Sequence, residues 1–341
     1  MKVAVYYSNK DVRIEEMPIP EINDDELLVK VMASGICGTD VLEWYRIKKA
    51  PIVLGHEFSG IIEKAGKNVK NFKVGDGIII SHHVPCMKCH YCLNSHHTAC
   101  ETLHKTNIYP GGFSEFIRVP KINVEFGTFK LPDNVTFEEG TFVEPLGTAV
   151  RAQRTANLKE SNSLLIIGSG ISGLLHIKLA KSKNIKKIIA VDISEYRMNA
   201  AKRFGADFAL DANESLAEEI KKINSGRLAE AVIVCTGALA AAKQALQCVD
   251  KGGTILFFAV PKPDEKLEIP INDFWKNEIK IMTSYGAAPD DLRESLDLIK
   301  NKKMNVADMI THKLKFDEIQ KGFNLVAEAK DSLKVIVYPN R

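Results

Sequence analysis

The chain has 341 residues, a length that predicts about two domains of roughly 150 residues each. Its composition, 45% hydrophobic and 26% charged, is ordinary for a soluble globular protein, and a net charge of +3 gives no reason to expect nucleic acid or a membrane surface as a partner. The sequence contains no apolar run long enough to span a membrane and no secretory signal at its start. We therefore expect a cytoplasmic protein.

The first 130 residues predict a β-rich region. Short apolar runs such as LLVKVMASGICG and GGFSEFIRVP are separated by Gly, Pro, Asn and Asp, which favour tight turns. Two motifs in this region, GICGTD and LGHEFSG, contain Cys37, His56 and Glu57. A thiolate, an imidazole and a carboxylate together suit a catalytic zinc ion that keeps one position open. Taken separately, a cysteine such as Cys37 is more often a buried thiol, and a histidine beside a glutamate, such as His56 with Glu57, is more often a surface or core pair.

Four of the seven cysteines lie close together in VPCMKCHYCLNSHHTAC, with the spacing CxxCxxCx7C. They are Cys86, Cys89, Cys92 and Cys100. In a reducing compartment such a cluster favours a metal over disulfides, and four thiolates complete the shell of a structural zinc ion. An iron–sulfur cluster is the alternative, although the ferredoxin pattern continues with three residues and Cys-Pro. Cys235 and Cys248 lie in apolar segments and are predicted to be core thiols.

After about residue 146 the pattern changes to strands that alternate with helices. SLLIIGSGISGLLHIKLAKSKNIKKIIAVD reads as a buried strand, a helix and a second buried strand, and AEAVIVCTG, ALAAAKQALQCV and GGTILFFAV continue the alternation. This rhythm predicts a parallel sheet with helices on both faces.

A glycine-rich turn in this second region has the features of a dinucleotide-binding loop. Gly168, Gly170 and Gly173 follow the predicted strand at 164–167 and open a helix that begins with Ile171 and Ser172. The glycines would allow a tight turn, close approach of a diphosphate and close packing of helix on strand. The N-terminus of the helix would then face the diphosphate. An ordinary glycine-containing turn is the alternative.

The end of the next strand bears on the choice of cofactor. Asp192 follows Gly170 by 22 residues, where a carboxylate accepts hydrogen bonds from the adenosine ribose and repels a 2′-phosphate. This position favours NAD over NADP, while Arg197 keeps NADP as the alternative because it would bind a phosphate. Thr236 and Gly237, at the end of the fourth strand, are predicted to line the cofactor site.

Five motifs together resemble one known family. GICGTD, GHEFSG, the cysteine cluster, VEPLGTAV and GSGISG occur in the order and at the separations of zinc-containing medium-chain dehydrogenases, most similar to the sorbitol (polyol) and L-threonine dehydrogenase branch. The resemblance implies an α/β fold with a GroES-like catalytic domain at 1–146, including a structural zinc lobe at 84–101. A Rossmann NAD-binding domain with a doubly wound parallel sheet would follow at 147–285, and residues 286–341 would return to the catalytic domain.

The resemblance also implies roles for individual residues. Cys37, His56 and Glu57 would hold a catalytic zinc ion, with Glu144 as a further ligand or near neighbour, so that each subunit would bind two zinc ions. Thr39 has the family position of a hydroxyl that passes on the alcohol proton, and otherwise stabilises a turn. The implied reaction is NAD-dependent oxidation of a secondary alcohol, polyol or sugar-derived, to a ketone.

The motifs leave several alternatives open. The chain has Leu42 where the family usually has a relay histidine; His82 or His83 would substitute, unless this pair is simply exposed. L-Threonine 3-dehydrogenase, a simple secondary-alcohol dehydrogenase and a non-catalytic protein that binds NAD and zinc remain alternatives. Basic residues at 46–49 suggest a phosphorylated substrate or only a solvated face. The resemblance further implies a homo-oligomer, either a tetramer or a dimer.

Overall fold

The computed structural model describes residues 1–159, 162–212 and 215–341. The chain forms two compact units, one made of Met1–Gly147 with Ala287–Arg341 and the other of Thr148–Gly286. Within the described ranges, no helix combines the length and the apolar character needed to cross a lipid bilayer. All seven cysteines are free thiols.

The first part of the chain consists mainly of short strands. They are β1 (Lys2–Ser8), β2 (Asp11–Glu16), β3 (Leu27–Gly35), β4 (Ile52–Val53), β5 (Glu57–Ala65), β6 (Gly77–Ile80), β7 (Phe116–Val119) and β8 (Thr128–Lys130). The connecting helices are α1 (Glu43–Arg46), α2 (His90–Leu93), α3 (Glu101–Lys105), α4 (Lys121–Phe126), α5 (Phe137–Gly140) and the longer α6 (Val143–Thr155). This is the β-rich region that the turn residues predicted.

The second unit alternates strands with helices. Its strands are β9 (Ser163–Ile167), β10 (Lys187–Asp192), β11 (Phe208–Asp211), β12 (Ala229–Val234), β13 (Val249–Phe257) and β14 (Lys280–Thr283). Its helices are α7 (Ile171–Ser182), α8 (Glu195–Arg203), α9 (Leu216–Ile223), α10 (Leu239–Cys248) and α11 (Ile271–Lys276). All the strand pairs are parallel, in the order β11-β10-β9-β12-β13-β14. This is the strand order of dinucleotide-binding folds, so the predicted doubly wound sheet is confirmed.

The chain then returns to the first unit. The returning elements are α12 (Pro289–Lys300), β15 (Ile310–Lys315), α13 (Ile319–Glu328) and β16 (Lys334–Tyr338). In the larger sheet of this unit β16 pairs with β3, β3 with β5 and β7, and β5 with β6. β3 is therefore a central strand whose neighbours come from both ends of the chain.

The register of β3 brings distant residues to one place. Gly35, at the end of β3, lies opposite Glu57 at the start of β5 and opposite Ile336 in β16. Residues just beyond these strand ends must therefore lie close together. Cys37 follows β3 by two residues, and His56 directly precedes β5.

The second unit buries one histidine in its apolar interior. His176 on α7 is fully buried, and its ring meets Phe258 edge-on with the ring centroids 4.7 Å apart. The Gln153 amide nitrogen lies 3.3 Å from His176 Nδ1 and donates to the His176 carbonyl oxygen at 2.8 Å. Burial lowers the pKa of His176 to about 3, because the imidazolium would lose its hydration.

We expect the His176→Phe variant to be less sensitive to acid than the wild type. Below about pH 6.5 the unfolded chain binds a proton at this histidine that the folded chain binds only near pH 3, so folding is opposed by up to about 1.4 kcal/mol per pH unit in between. Between about pH 6.5 and pH 4.5 the free energy of unfolding should fall by about 2 kcal/mol more in the wild type than in the variant. Urea unfolding at each pH measures this, and equal losses would contradict it.

Candidate metal centres and cofactor site

The strand ends around Gly35 bring together three residues that the sequence predicted as zinc ligands. One ligand atom each of Cys37, His56 and Glu57 lies within 4.8 Å of the other two. We call these residues the trio. A sulfur, a nitrogen and a carboxylate oxygen at this separation are a donor set that suits Zn2+ and leaves a coordination position for another ligand.

A buried aspartate lies behind the trio. Asp40 is fully buried, accepts a hydrogen bond from the Cys37 backbone N–H at 3.1 Å and has Oδ1 3.4 Å from His56 Nδ1. Burial opposes a charge on His56, but Asp40 and Cys37 outweigh it and hold the pKa of the imidazole well above its ordinary value. Asp40 occupies Nδ1, so Nε2 remains as the nitrogen available to a metal.

The third member of the trio forms a buried ion pair. Glu57 Oε2 accepts a hydrogen bond from Lys334 Nζ, and the residues are only 2% and 1% exposed. A Cβ on Gly35 would lie 2.5 Å from Lys334 Cε, so the pair fits only because residue 35 has no side chain. Burial raises the pKa of the Cys37 thiol, and the Glu57 carboxylate raises it further, while His56 lowers it.

Glu144 is near the trio but is not part of it. Among the described residues, only Cys37, His56 and Glu57 form the group whose ligand atoms lie within 4.8 Å of one another at this place. The Glu144 carboxylate therefore lies near the trio without joining it. Burial raises the pKa of its carboxyl to about 7; His56 opposes this rise and Glu57 adds to it. The pKa of Glu144, a residue of α6, therefore depends on the charges of His56 and Glu57.

Thr39 and the adjacent histidines also lie beside the trio. The Thr39 hydroxyl donates to Cys37 Sγ at 3.3 Å. The His82 ring centroid is 4.9 Å from that of His56 and 4.0 Å from that of His83, and both residues are partly buried, so the expectation of a simply exposed pair is wrong. His82 thus packs against His56 of the trio, and His83 packs against His82. Leu42, in contrast, is an exposed side chain without hydrogen-bonding groups.

The cysteine cluster forms a second, separate group of donors. The four Sγ atoms all lie within 4.8 Å of one another, with 3.6 Å both between Cys89 and Cys92 and between Cys86 and Cys100. Tetrahedral Zn–S bonds of about 2.3 Å place sulfurs roughly 3.8 Å apart, so the cluster has the dimensions of a four-thiolate zinc site. Burial opposes ionisation of Cys100, but backbone N–H groups outweigh it and lower the pKa of this thiol to about 6.

The other two cysteines differ from each other. Cys248 is buried in the core of the second unit, as predicted. Cys235 follows β12 and is partly exposed as a residue, although burial of its thiol raises the pKa above the ordinary value. The strand ends one residue before it, and the chain turns toward the surface there.

The glycine-rich turn joins β9 to α7 as the sequence predicted. Gly168 has a φ of 96°, which favours glycine, and a Cβ on Gly173 would lie 1.9 Å from the Gly168 carbonyl oxygen. A Cβ on Gly168 would also meet Thr236 at 3.1 Å, so that Thr236 lies against the turn. Ile171 and Ser172 form the first turn of α7, where backbone N–H groups have no acceptor within the helix.

Asp192 and Arg197 flank this turn. Asp192 Oδ2 accepts from the Ser169 N–H at 2.7 Å, and its Oδ1 accepts from the Ser194 N–H at 3.0 Å. The Arg197 guanidinium carbon lies 3.9 Å from the position of a Cβ on Gly170, and among the described residues its buried Nε has no hydrogen-bond partner. A cation with an unsatisfied donor beside a helix N-terminus fits the phosphates of a dinucleotide. Gly237 lies further along the same edge, after β12.

The sequence analysis did not predict that Asp40 and Lys334 contact the trio. Asp40 had a local signal, since its position three residues after Cys37 matches the spacing of a side chain that caps its own turn. Lys334 had a weaker signal: it is a single charged residue at the start of the apolar strand KVIVY. Neither signal identifies the partner across the sheet.

Comparisons with known proteins agree with this arrangement. A family model described as zinc-binding dehydrogenase matches residues 172–301, and one described as alcohol dehydrogenase GroES-like domain matches residues 23–133. The chain is 31% identical to a sorbitol dehydrogenase of Bacillus subtilis (strain 168), with 100% of this chain and 98% of the relative covered.

Two solved structures have the same fold over nearly the whole chain. Galactitol-1-phosphate dehydrogenase from Escherichia coli is 27% identical with a TM-score of 0.87, and the alignment covers 99% of this chain and 100% of that one. A zinc-binding dehydrogenase from Sinorhizobium meliloti 1021, bound to NADP, is 27% identical with a TM-score of 0.88 and 99% of each chain covered. The chain therefore belongs to the zinc-containing medium-chain dehydrogenases, in the branch that includes the polyol dehydrogenases.

We expect Lys334→Met to destabilise the protein strongly. The substitution leaves the Glu57 carboxylate buried without its cation, which typically costs about 3–5 kcal/mol of unfolding free energy. Lys313→Met is the matched control, because Lys313 pairs with Glu138 at 3.7 Å but is 56% exposed. Such an exposed pair contributes at most about 1 kcal/mol. Urea unfolding of both variants as metal-free protein compares the two losses, and similar losses would contradict the cost of an uncompensated buried carboxylate at Glu57.

Proposed function

We propose that this protein is a zinc-dependent NAD oxidoreductase that oxidises a secondary alcohol, polyol or sugar-derived, to the ketone. The trio carries the proposal, because a thiol, an imidazole and a carboxylate within 4.8 Å leave room for a substrate oxygen on a bound metal. A protein that only binds NAD and zinc would have no need of an open metal site flanked by a hydroxyl such as that of Thr39.

Each residue near the trio has a distinct task in this proposal. Cys37, His56 and Glu57 hold the catalytic zinc ion, which supplies Lewis-acid chemistry that makes an alcohol more acidic. Asp40 fixes the orientation of His56 through Nδ1. Lys334 balances the Glu57 carboxylate and limits the negative charge of the site. Thr39 accepts the alcohol proton.

The second unit binds the cofactor. NAD supplies the hydride acceptor, and the protein contributes binding and orientation. The N-terminus of α7 and Arg197 bind the diphosphate, and Asp192 recognises the ribose. The Asp192 carboxylate, next to the turn, would repel a 2′-phosphate, so we favour NAD although one relative was solved with NADP.

The cysteine cluster holds a structural zinc ion. Its four thiols fill a tetrahedral shell and leave no position for substrate. The bound ion contributes folding energy to the segment from Cys86 to Leu103, whose small cluster of buried residues consists of Leu103 and the cysteines themselves.

The names of relatives support polyols as the substrate class. Sorbitol dehydrogenase and galactitol-1-phosphate dehydrogenase are relatives with linear polyol substrates in their names, the second of them phosphorylated. We propose an unphosphorylated polyol rather than a phosphorylated one, because Lys48 and Lys49 are exposed, as expected of a solvated face. We further propose a cytoplasmic location, where the thiols remain reduced.

Activity assays on two cysteine variants test the division between the metal sites. NADH formation should be detected with polyols and at lower rates with simple secondary alcohols, and NADP should be the poorer cofactor. Cys37→Ser should lower kcat/KM at least about 100-fold and leave the melting temperature nearly unchanged, because it removes a ligand of the open site only. Cys89→Ser should lower the melting temperature markedly and release one zinc ion per subunit.

The zinc content of each variant is the control for these assays. The wild type should hold two zinc ions per subunit by elemental analysis, and each variant should hold one. Normal turnover by Cys37→Ser, or wild-type stability of Cys89→Ser, would contradict the assigned roles. Turnover with L-threonine alone would favour the threonine dehydrogenase alternative.

We also propose that the protein forms dimers, or tetramers built from them, through the edge of the second unit's sheet. β14 is the last strand of that sheet, its residues are largely exposed, and Ile281 and Trp275 add exposed apolar surface. An exposed strand edge offers backbone groups to a second copy of the same strand.

Light scattering coupled to gel filtration tests the oligomer. Ile281→Lys should shift the wild-type oligomer toward a smaller species, because it places a charge in the proposed contact. Val74→Lys is the matched control, since Val74 is an exposed apolar residue of the first unit. A monomeric wild type, or an equal shift in the control, would contradict an oligomer formed through β14.

A further inference from the structure

An arginine folds back onto the hydroxyl beside the trio. Arg46 is the last residue of α1, and its backbone N–H bonds to the Leu42 carbonyl at 3.0 Å. Its Nε donates to the Thr39 carbonyl at 2.9 Å, and its Nη2 donates to Thr39 Oγ1 at 3.2 Å. The side chain is only 14% exposed, although most of its neighbours in the segment are exposed. Both hydrogen bonds of the Arg46 guanidinium are therefore made to Thr39.

Arg46 is held in this position by two further contacts. Asp40 Oδ1, fully buried, lies 3.6 Å from Arg46 Nη2, and the guanidinium carbon lies 4.7 Å from the centroid of the Tyr45 ring. Asp40 is also the residue that orients His56. The same carboxylate therefore anchors both the imidazole of the trio and the arginine that reaches Thr39.

The direction of these hydrogen bonds follows from the chemistry of the groups. A guanidinium only donates, whereas a hydroxyl has one proton and two lone pairs. Oγ1 of Thr39 accepts from Arg46, donates to Cys37 Sγ at 3.3 Å and keeps one lone pair. The side chain of Leu42 provides no alternative partner. The Arg46 guanidinium thus holds the Thr39 hydroxyl in place and cannot accept its proton.

We propose that Arg46 is a positioning residue for Thr39, which it holds by donating a hydrogen bond to Oγ1 in a chain that has Leu42 where the family resemblance predicts a relay histidine. This role rests on the proposed function. The alcohol proton passes to the free lone pair of Oγ1 as the hydroxyl's own proton leaves its hydrogen bond with Cys37 Sγ and passes to water, which reaches the exposed Thr39. Arg46 keeps Oγ1 directed at the trio throughout.

A double-mutant cycle tests whether Arg46 acts through Thr39. Arg46→Met keeps the unbranched stem but removes both donors, and Thr39→Val keeps the shape but removes the hydroxyl. We expect Arg46→Met to lower kcat at least about 10-fold while KM for the alcohol changes less than about 3-fold. In the Thr39→Val background, Arg46→Met should cause no further loss, because residues that act as a unit are not additive.

The control is an arginine with similar contacts elsewhere in the same unit. Arg13 donates through Nε and Nη2 to Asp11 and lies over the Tyr7 ring at 4.5 Å, but it is 60% exposed. Arg13→Met should change kcat less than about 2-fold. Melting temperatures and zinc content of all variants show whether they fold and load metal as the wild type does.

The hydrogen bond between Arg46 and Thr39 can also be followed by nuclear magnetic resonance, which needs no turnover. In protein labelled with 15N-arginine, rotation of the Arg46 guanidinium should be slow in the wild type and in Arg13→Met, and faster in Thr39→Val, which lacks Oγ1. Additive losses in the cycle, an effect confined to KM, or unchanged rotation in Thr39→Val would overturn the role of Arg46. If the wild type oxidises no alcohol with NAD or NADP, the proposed function itself fails, whatever the rotation shows.

Discussion

The compensation of charge inside a water-poor sheet is the constraint on which the candidate active site depends. Leaving the Glu57 carboxylate alone at 2% exposure would cost several kcal/mol, and Lys334 on another strand meets it there. The two strands lie on either side of β3, and Gly35 at the end of β3 leaves the space in which the charges meet. Any other register would separate the ions and also disperse the trio, so the electrostatics and the pairing of the sheet specify the same arrangement.

The groups around the trio form a continuous electrostatic network. Asp40 interacts with His56 and with Arg46, Arg46 bonds to Thr39, and Thr39 bonds to Cys37. Each polar side chain in this series has its orientation set by the next one, so the proposed binding of a dication and a substrate oxygen would need little reorganisation.

Features encoded in short spacings could be predicted from the sequence, whereas pairs across the sheet could not. The cysteine cluster and the glycine turn need only a local backbone path, and the structure brings their members together as expected. Glu57 and Lys334 are 277 residues apart, and nothing in either segment names the other. The burial of His82 likewise depends on packing against His56, which adjacency in sequence to His83 does not reveal.

The interrupted path of the first unit has a consequence for biosynthesis. β3 obtains its partner β16 only after the whole of Thr148–Gly286 has left the ribosome, since β16 lies in the returning segment. Until then one edge of β3 lacks its final neighbour and the Glu57 carboxylate lacks its lysine. The inserted unit, whose strands pair only among themselves, can complete its fold during translation. Completion of the buried Glu57–Lys334 pair is thereby delayed until the segment that follows the inserted unit has been synthesised.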